Sequence, residues 1–183
     1  MTWARSAVHG RRFEVILCAP KANPRVATLV TGARYPETEA EANQRHFNVQ
    51  VSPNVSGAAL ADYAFLHIPD DDPRVQQMMA AATVELTFDG QGNATGINIY
   101  PYLTASATPN PATVNTTVTV TAVLLAGTPD TTVTFQVEGG TAYSEPVTAG
   151  QASHAYAFSA AGRYRSAVSS AHHGTAAVEV VVQ

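Results

Sequence analysis

Residues 103–125 read Leu-Thr-Ala-Ser-Ala-Thr-Pro-Asn-Pro-Ala-Thr-Val-Asn-Thr-Thr-Val-Thr-Val-Thr-Ala-Val-Leu-Leu, and this stretch restricts the fold more than any other. Thr117, Thr119 and Thr121 alternate with Val118, Val120, Ala122 and Leu124. A period of two puts the apolar set on one face and the hydroxyls on the other, so the spacing predicts a half-buried strand. Immediately upstream, Pro109 and Pro111 each remove a ladder donor and restrict the residue before them. The preceding strand must therefore break at residues 108–111 and restart.

The stretch also falls where charge density changes. Of ten Lys/Arg and fourteen Asp/Glu, residues 1–101 hold eight and ten, while residues 102–183 hold only Arg163 and Arg165 against Asp130, Glu138, Glu145 and Glu179. A segment so poor in charge is solvated through Thr, Ser, Asn, Gln and backbone, which suits a Thr-coated sheet face. Two domains are expected, 1–101 and 102–183. No basic stripe exists to displace counterions from a phosphate backbone, so nucleic acid is not an expected partner. Cys18 is the only cysteine, which rules out an intrachain disulfide and zinc sites built from several thiolates. The apolar run 15–19 is too short to span a bilayer, and Glu14 interrupts it as a leader segment, so neither a membrane anchor nor a signal peptide is expected.

In the first domain, residues 13–19 form a nearly continuous apolar run ended by Pro20, and 26–31 reads as its hairpin partner after Asn23-Pro24. Residues 36–44 are acidic helix formers, read as a short surface helix or a loop. Residues 46–52 set Phe47, Val49 and Val51 against Asn48 and Gln50, which is strand patterning. Another strand is expected at 62–68. Asp at the cap and Pro73 at the first helical position predict a helix over about 72–82. Strands at 83–88 and 95–100 flank Asp89-Gly90-Gln91-Gly92-Asn93, whose composition is that of a turn. The expectation is a β-rich α+β module with one short helix.

In the second domain, 132–137, a short strand near Tyr143, 154–158, 164–169 and 176–182 follow at intervals of 8 to 12 residues, the spacing of a sandwich of about seven strands. The elements Ala107-Thr108-Pro109-Asn110-Pro111, the strand at 116–122, Val133-Thr134-Phe135 and Ala161-Gly162-Arg163-Tyr164 resemble a bacterial immunoglobulin-like domain, a family found in surface proteins and appended to phage virion proteins. The resemblance implies that Tyr164, beside Gly162, acts as a tyrosine corner, and that Phe135 stands where antibody domains have a buried Trp. It covers residues 103–183 only, and no cysteine pair bridges the sheets.

Candidate chemistry is sparse. Asp70, Asp71 and Asp72 lack the graded ligand pattern of a calcium loop and read as a solvated helix cap, and Asp89 to Asn93 read as a turn for the same reason. His172 and His173 are adjacent, a poor arrangement for one metal ion in a strand. No G-x-S-x-G turn or H-E-x-x-H helix is present. Cys18 lies in an apolar run that raises its pKa. No enzyme activity, cofactor or metal is expected. The expected function is a structural protein of a phage-like virion, a capsid decoration or tail component. Its first module would dock on other virion proteins and self-associate, and its immunoglobulin-like module would project outward. The alternative is a secreted or surface adhesion module binding glycan or protein. Trp3, Met78 and Met79 are the interface candidates, because aromatic and Met side chains adapt to apolar partners.

Overall fold

The computed structural model describes residues 12–34 and 37–183, and its secondary structure is mainly β. The chain divides into two units, Met1–Ala80 with Val84–Ile99, and Ala81–Thr83 with Tyr100–Gln183. The second unit thus begins at Tyr100 and takes in a short segment at 81–83.

In the first unit, β1 (Arg12–Pro20) is the middle strand of a sheet ordered β2-β1-β3, with β2 (Thr28–Arg34) and β3 (Tyr63–Pro69) antiparallel to it. Its continuous apolar run follows from burial on both faces. Val15, Leu17 and Ala19 pack with Val75, Met78 and Leu86, whereas Cys18 on the other face packs with Phe47 and Val51. The partner strand begins two residues later than its sequence predicts because residues 24–26 pair elsewhere. Val26 N–H donates to the Val84 carbonyl at 2.9 Å and Leu86 N–H to the Pro24 carbonyl at 2.7 Å.

Residues 36–44 resolve into α1 (Glu39–His46), opened by a capping box in which Thr38 and Glu41 satisfy each other's backbone N–H. The helix runs on through a wide turn, Phe47–Val51, and 46–52 is therefore not a strand. Phe47 and Val51 are buried while Val49 is exposed. Spacing of four residues, rather than two, faces the sheet. The helix expected over 72–82 is shortened to α2 (Arg74–Met79), because Ala81 already belongs to β4 (Ala81–Phe88). Asp72 holds its start, accepting from Arg74 N–H at 2.9 Å and pairing with the Arg74 guanidinium at 2.7 Å. β4 pairs with β5 (Ala94–Pro101).

The second unit contains β6 (Thr104–Thr108), β7 (Thr117–Val123), β8 (Thr132–Val137), β9 (Ala142–Pro146), β10 (Gln151–Ala157), β11 (Gly162–Ser170) and β12 (Gly174–Val182). They form two antiparallel sheets, β10-β7-β6 and β12-β11-β8-β9. Val118, Val120 and Ala122 from one sheet and Val133, Phe135, Val168 and Val180 from the other share one core. Phe135 is fully buried, and burying a side chain of that size contributes about 1.5–3 kcal/mol. This is an immunoglobulin-like sandwich. In the constant-type arrangement the fourth strand pairs with the fifth, but here β9 pairs with β8. The tight Gly139-Gly140 turn folds β9 directly back on β8, with Gly139 at φ +74° and Gly140 N–H on the Val137 carbonyl at 2.8 Å.

Both outer ends of the four-stranded sheet are protected against further pairing. The break at Pro109 and Pro111 carries the chain from β6 to the edge of β12, where Ala112 N–H donates to the Val181 carbonyl at 2.9 Å and Gln183 N–H to the Ala112 carbonyl at 2.8 Å. Asn110 adds bonds to the Glu179 carbonyl (2.7 Å) and Val181 N–H (2.9 Å). At the opposite edge, β9 is five residues long and ends in Pro146.

Candidate functional site

Alternation along β1 sends Glu14 to the same face as Ile16 and Cys18, into the layer beneath α1. Its carboxylate is 2% exposed, so it requires a compensating charge. β2 supplies one: Arg34 Nε lies 2.8 Å from Glu14 Oε1, with both side chains 2% exposed. β3 supplies His67, whose Nδ1 is 3.3 Å from the same oxygen and whose Nε2 is 2.7 Å from Asn43 Oδ1 of α1. The Glu14–Arg34 pair is off-line for hydrogen bonding, and Glu14 Oε2 and Arg34 Nη1 have no hydrogen-bond partner. Removing one member of a buried ion pair typically costs about 3–5 kcal/mol, so this cluster is bound into the stability of the sheet.

A cavity of about 140 Å³ lies over this pair, lined by Glu14, Thr31 and Arg34 and by Arg45 and His46 at the end of α1. Arg45 stands half-exposed and pairs with Glu37 at 2.7 Å. His46 is buried and shares a 2.6 Å hydrogen bond with Thr28 Oγ1. Burial lowers its pKa, and the nearby Arg45 and His67 lower it further. Thr28 also bonds the Cys18 thiol, but burial dominates and pushes that pKa up to about 11. Cys18 is therefore a poor nucleophile.

The second unit directs its polar side chains into its own loops. Asp130, before β8, accepts from His172 N–H at 3.1 Å and lies 2.6 Å from His172 Nδ1. Burial opposes its ionisation, yet hydrogen bonds from His172 and Ser170 hold its carboxyl below the usual range. His173 is fully buried, with Nδ1 2.7 Å from the Pro101 carbonyl and Nε2 3.0 Å from Thr128 Oγ1. The two histidines therefore occupy a turn and make separate structural contacts. A second feature is a row of rings: exposed Tyr143 stacks on His154 at 4.1 Å, and His154 meets Tyr156 at 4.6 Å and Glu145 at 2.7 Å.

Of the interface candidates, Trp3 lies outside the described residues. Met78 is 4% exposed and belongs to the core of the first unit, which removes it from a partner's reach, while Met79 is 63% exposed. Tyr164 Oη donates to the Ala160 carbonyl at 2.9 Å, and Gly162 lies against its ring, where an added Cβ would be 3.5 Å away. Asp89 accepts from Gln91 N–H and Asn93 N–H at 2.9 and 2.8 Å and from Asn93 Nδ2 at 3.0 Å, so its carboxylate is occupied by its own turn. Among the described residues no group of three His, Cys, Asp or Glu is arranged to hold a metal ion. No helix among them is long and apolar enough to cross a membrane. The Glu14 cluster was absent from the sequence reading. Its one trace there is a carboxylate inside a strand that is otherwise apolar on both faces.

No family model and no curated protein matches the chain. Among solved structures, the chain is similar to the CARDB domain of the PF1109 protein from Pyrococcus furiosus, solved in complex with di-metal ions, at 19% identity over 53% of this chain and 99% of that one, with a TM-score of 0.34.

Proposed function

We propose that the chain is a non-catalytic structural protein of a phage-like virion, a capsid decoration or tail component, in which an N-terminal α+β module attaches to other virion proteins and an immunoglobulin-like sandwich is displayed outward. The observation that carries the reading is the nearly uncharged sandwich, with Thr117 and Thr119 facing solvent and with the edges of its four-stranded sheet either covered by residues 110–114 or short and ended by Pro146. Such a sheet tolerates dense display without pairing edge to edge. Attachment is assigned to the charged first unit, where Met79 is exposed. Deleting residues 103–183 and measuring oligomer mass and particle incorporation tests this assignment. Incorporation of the truncated chain supports it. Loss of incorporation by a folded truncated chain, with incorporation of the isolated sandwich, reverses the roles.

The ring row favours a second reading, a secreted or surface adhesion module. Exposed Tyr143 on His154, beside Glu145, offers an apolar face with adjacent hydrogen-bonding groups of the kind that suits a sugar ring. Glycan binding that Tyr143→Ala abolishes would favour this reading.

A further inference from the structure

Three of the four strands that end the two sheets of the sandwich are blunted. β12 is covered by residues 110–114, β9 is short and ends in Pro146, and β6 is five residues long and runs into Pro109. The fourth, β10, is seven residues long, contains no proline and carries no Asp, Glu, Lys or Arg. The direction of its backbone groups follows from the register. Leu124 N–H donates to the Gly150 carbonyl at 2.8 Å, one step beyond the Val123–Gln151 pair of β7 and β10. Opposed residues of an antiparallel pair alternate between bonded and non-bonded, so residues 152, 154 and 156 bond to β7, while 151, 153, 155 and 157 point their N–H and C=O away from it. Gln151 exchanges its outward groups with Thr148, at 3.0 and 2.8 Å. The outward groups of Ser153, Ala155 and Ala157 are left, because among the described residues no strand pairs with β10 on that side. All three residues are exposed and have small side chains.

An open row of donors and acceptors is a template for a further strand. We propose that β10 pairs antiparallel with β10 of a second copy of this chain, across a twofold axis at Ala155, so that two three-stranded sheets become one of six. The strand is complementary to itself in this register. Ala155 meets Ala155 of the partner subunit, and Ser153 meets Ala157 of the partner subunit on each side of the axis, so every outward group gains a partner, about six hydrogen bonds in all. No like charges oppose one another, because the strand holds none. On the inner face His154 falls opposite Tyr156 of the partner subunit. Exposed Tyr143 stacks on His154 at 4.1 Å, so pairing brings two rows of rings together. An interface of this size lies below about 1,200 Å² and belongs with weak, transient contacts. It is separate from attachment through the first unit and does not depend on membership of a virion.

The test is sedimentation and amide NMR of the full chain between about 10 μM and 1 mM, the range of a weak complex. The dimer fraction should rise with concentration, and the amide signals of Ser153, Ala155 and Ala157 should shift with it. Ala155→Lys and Ala155→Glu each set like charges opposite one another at the axis, and each should weaken the dimer about threefold or more. An equimolar mixture of the two variants should pair at least as tightly as the parent. Both changes fall at an exposed position and should leave the melting transition in place. Ala155→Pro removes an outward N–H without taking a bond from β7, and should abolish pairing. Association through the first unit is recognised by concentration-dependent shifts outside 151–157 that persist in Ala155→Lys, so the two surfaces are read separately. A chain that stays monomeric to about 1 mM leaves the edge to an unlike strand and overturns the proposal. Signals of β10 that do not change with concentration, a dimer that Ala155→Lys leaves unweakened, or a Lys–Glu mixture no tighter than either variant alone would each overturn it as well.

Discussion

His172 Nδ1 lies 2.6 Å from Asp130 Oδ1, and His172 N–H donates to the same carboxylate, so the β11–β12 turn is tied to the loop before β8 across 42 residues of chain. The carboxylate is 2% exposed. Asp130→Asn is expected to lower stability by about 1–3 kcal/mol, because it weakens a charge-assisted bond in a buried setting. Chemical denaturation of the variant against the parent checks this.

The same group sets an acid limit. Asp130 has a folded pKa below its unfolded value. Its contribution is therefore complete above the unfolded pKa of about 3.9 and is lost as pH falls through the folded value. His46 acts at higher pH: its folded pKa is lowered, so the unfolded chain takes up a proton first. Stability should begin to fall below about pH 6.5, the ordinary histidine value, and continue falling into the acid range. Melting temperature against pH should show both phases, and His46→Gln should remove the upper one.

Tyr164→Phe is expected to cost about 1 kcal/mol, since its hydroxyl donates to the Ala160 carbonyl. Tyr156 provides the control. Its buried hydroxyl faces only the Ser166 hydroxyl, in poor hydrogen-bond geometry, so Tyr156→Phe should cost less, under about 0.5 kcal/mol. Equal costs for the two variants would count against the corner.

Between β9 and β10, Ala149 has φ +51° and Gly150 φ +76°, in a two-residue turn closed by Thr148 and Gln151 at 2.8 and 3.0 Å. Positive φ at both central positions is the demand of a type I′ turn, which Asn-Gly meets at low cost. Ala149→Asn should stabilise the sandwich by about 0.5–1 kcal/mol and raise its melting temperature. Gly150→Ala should do the reverse, because its Cβ would meet the Leu124 carbonyl at 3.2 Å.

Cys18 is fully buried, and its thiol pKa is pushed up to about 11. A thiol reagent at pH 8 should label it only as fast as the native fold opens, and denaturant should release the reaction. Fast labelling of native protein would show that β1 is not packed on both faces.

Residues 100–183 should melt cooperatively as a separate fragment, since Leu103, Phe135, Val168 and Val180 belong to one core within the sandwich. Calorimetry of that fragment gives the check.

The sandwich was legible in the sequence because its determinants are local. The alternation at 117–123 reports one buried face per strand, and prolines at 109 and 111 mark where a ladder stops. The first unit was less legible. Val15 to Ala19 announce a buried strand, but periodicity cannot tell which layers cover it, and Phe47, Val49 and Val51 fit a strand as well as a helix until Thr38 and Glu41 start a helix upstream. Tertiary structure alone decided that β9 joins β8, that residues 110–114 cover β12, and that Glu14, Arg34 and His67 meet. Those three residues lie on three strands, 20 and 33 positions apart along the chain. Their proximity follows from strand register, which only the packed sheet determines.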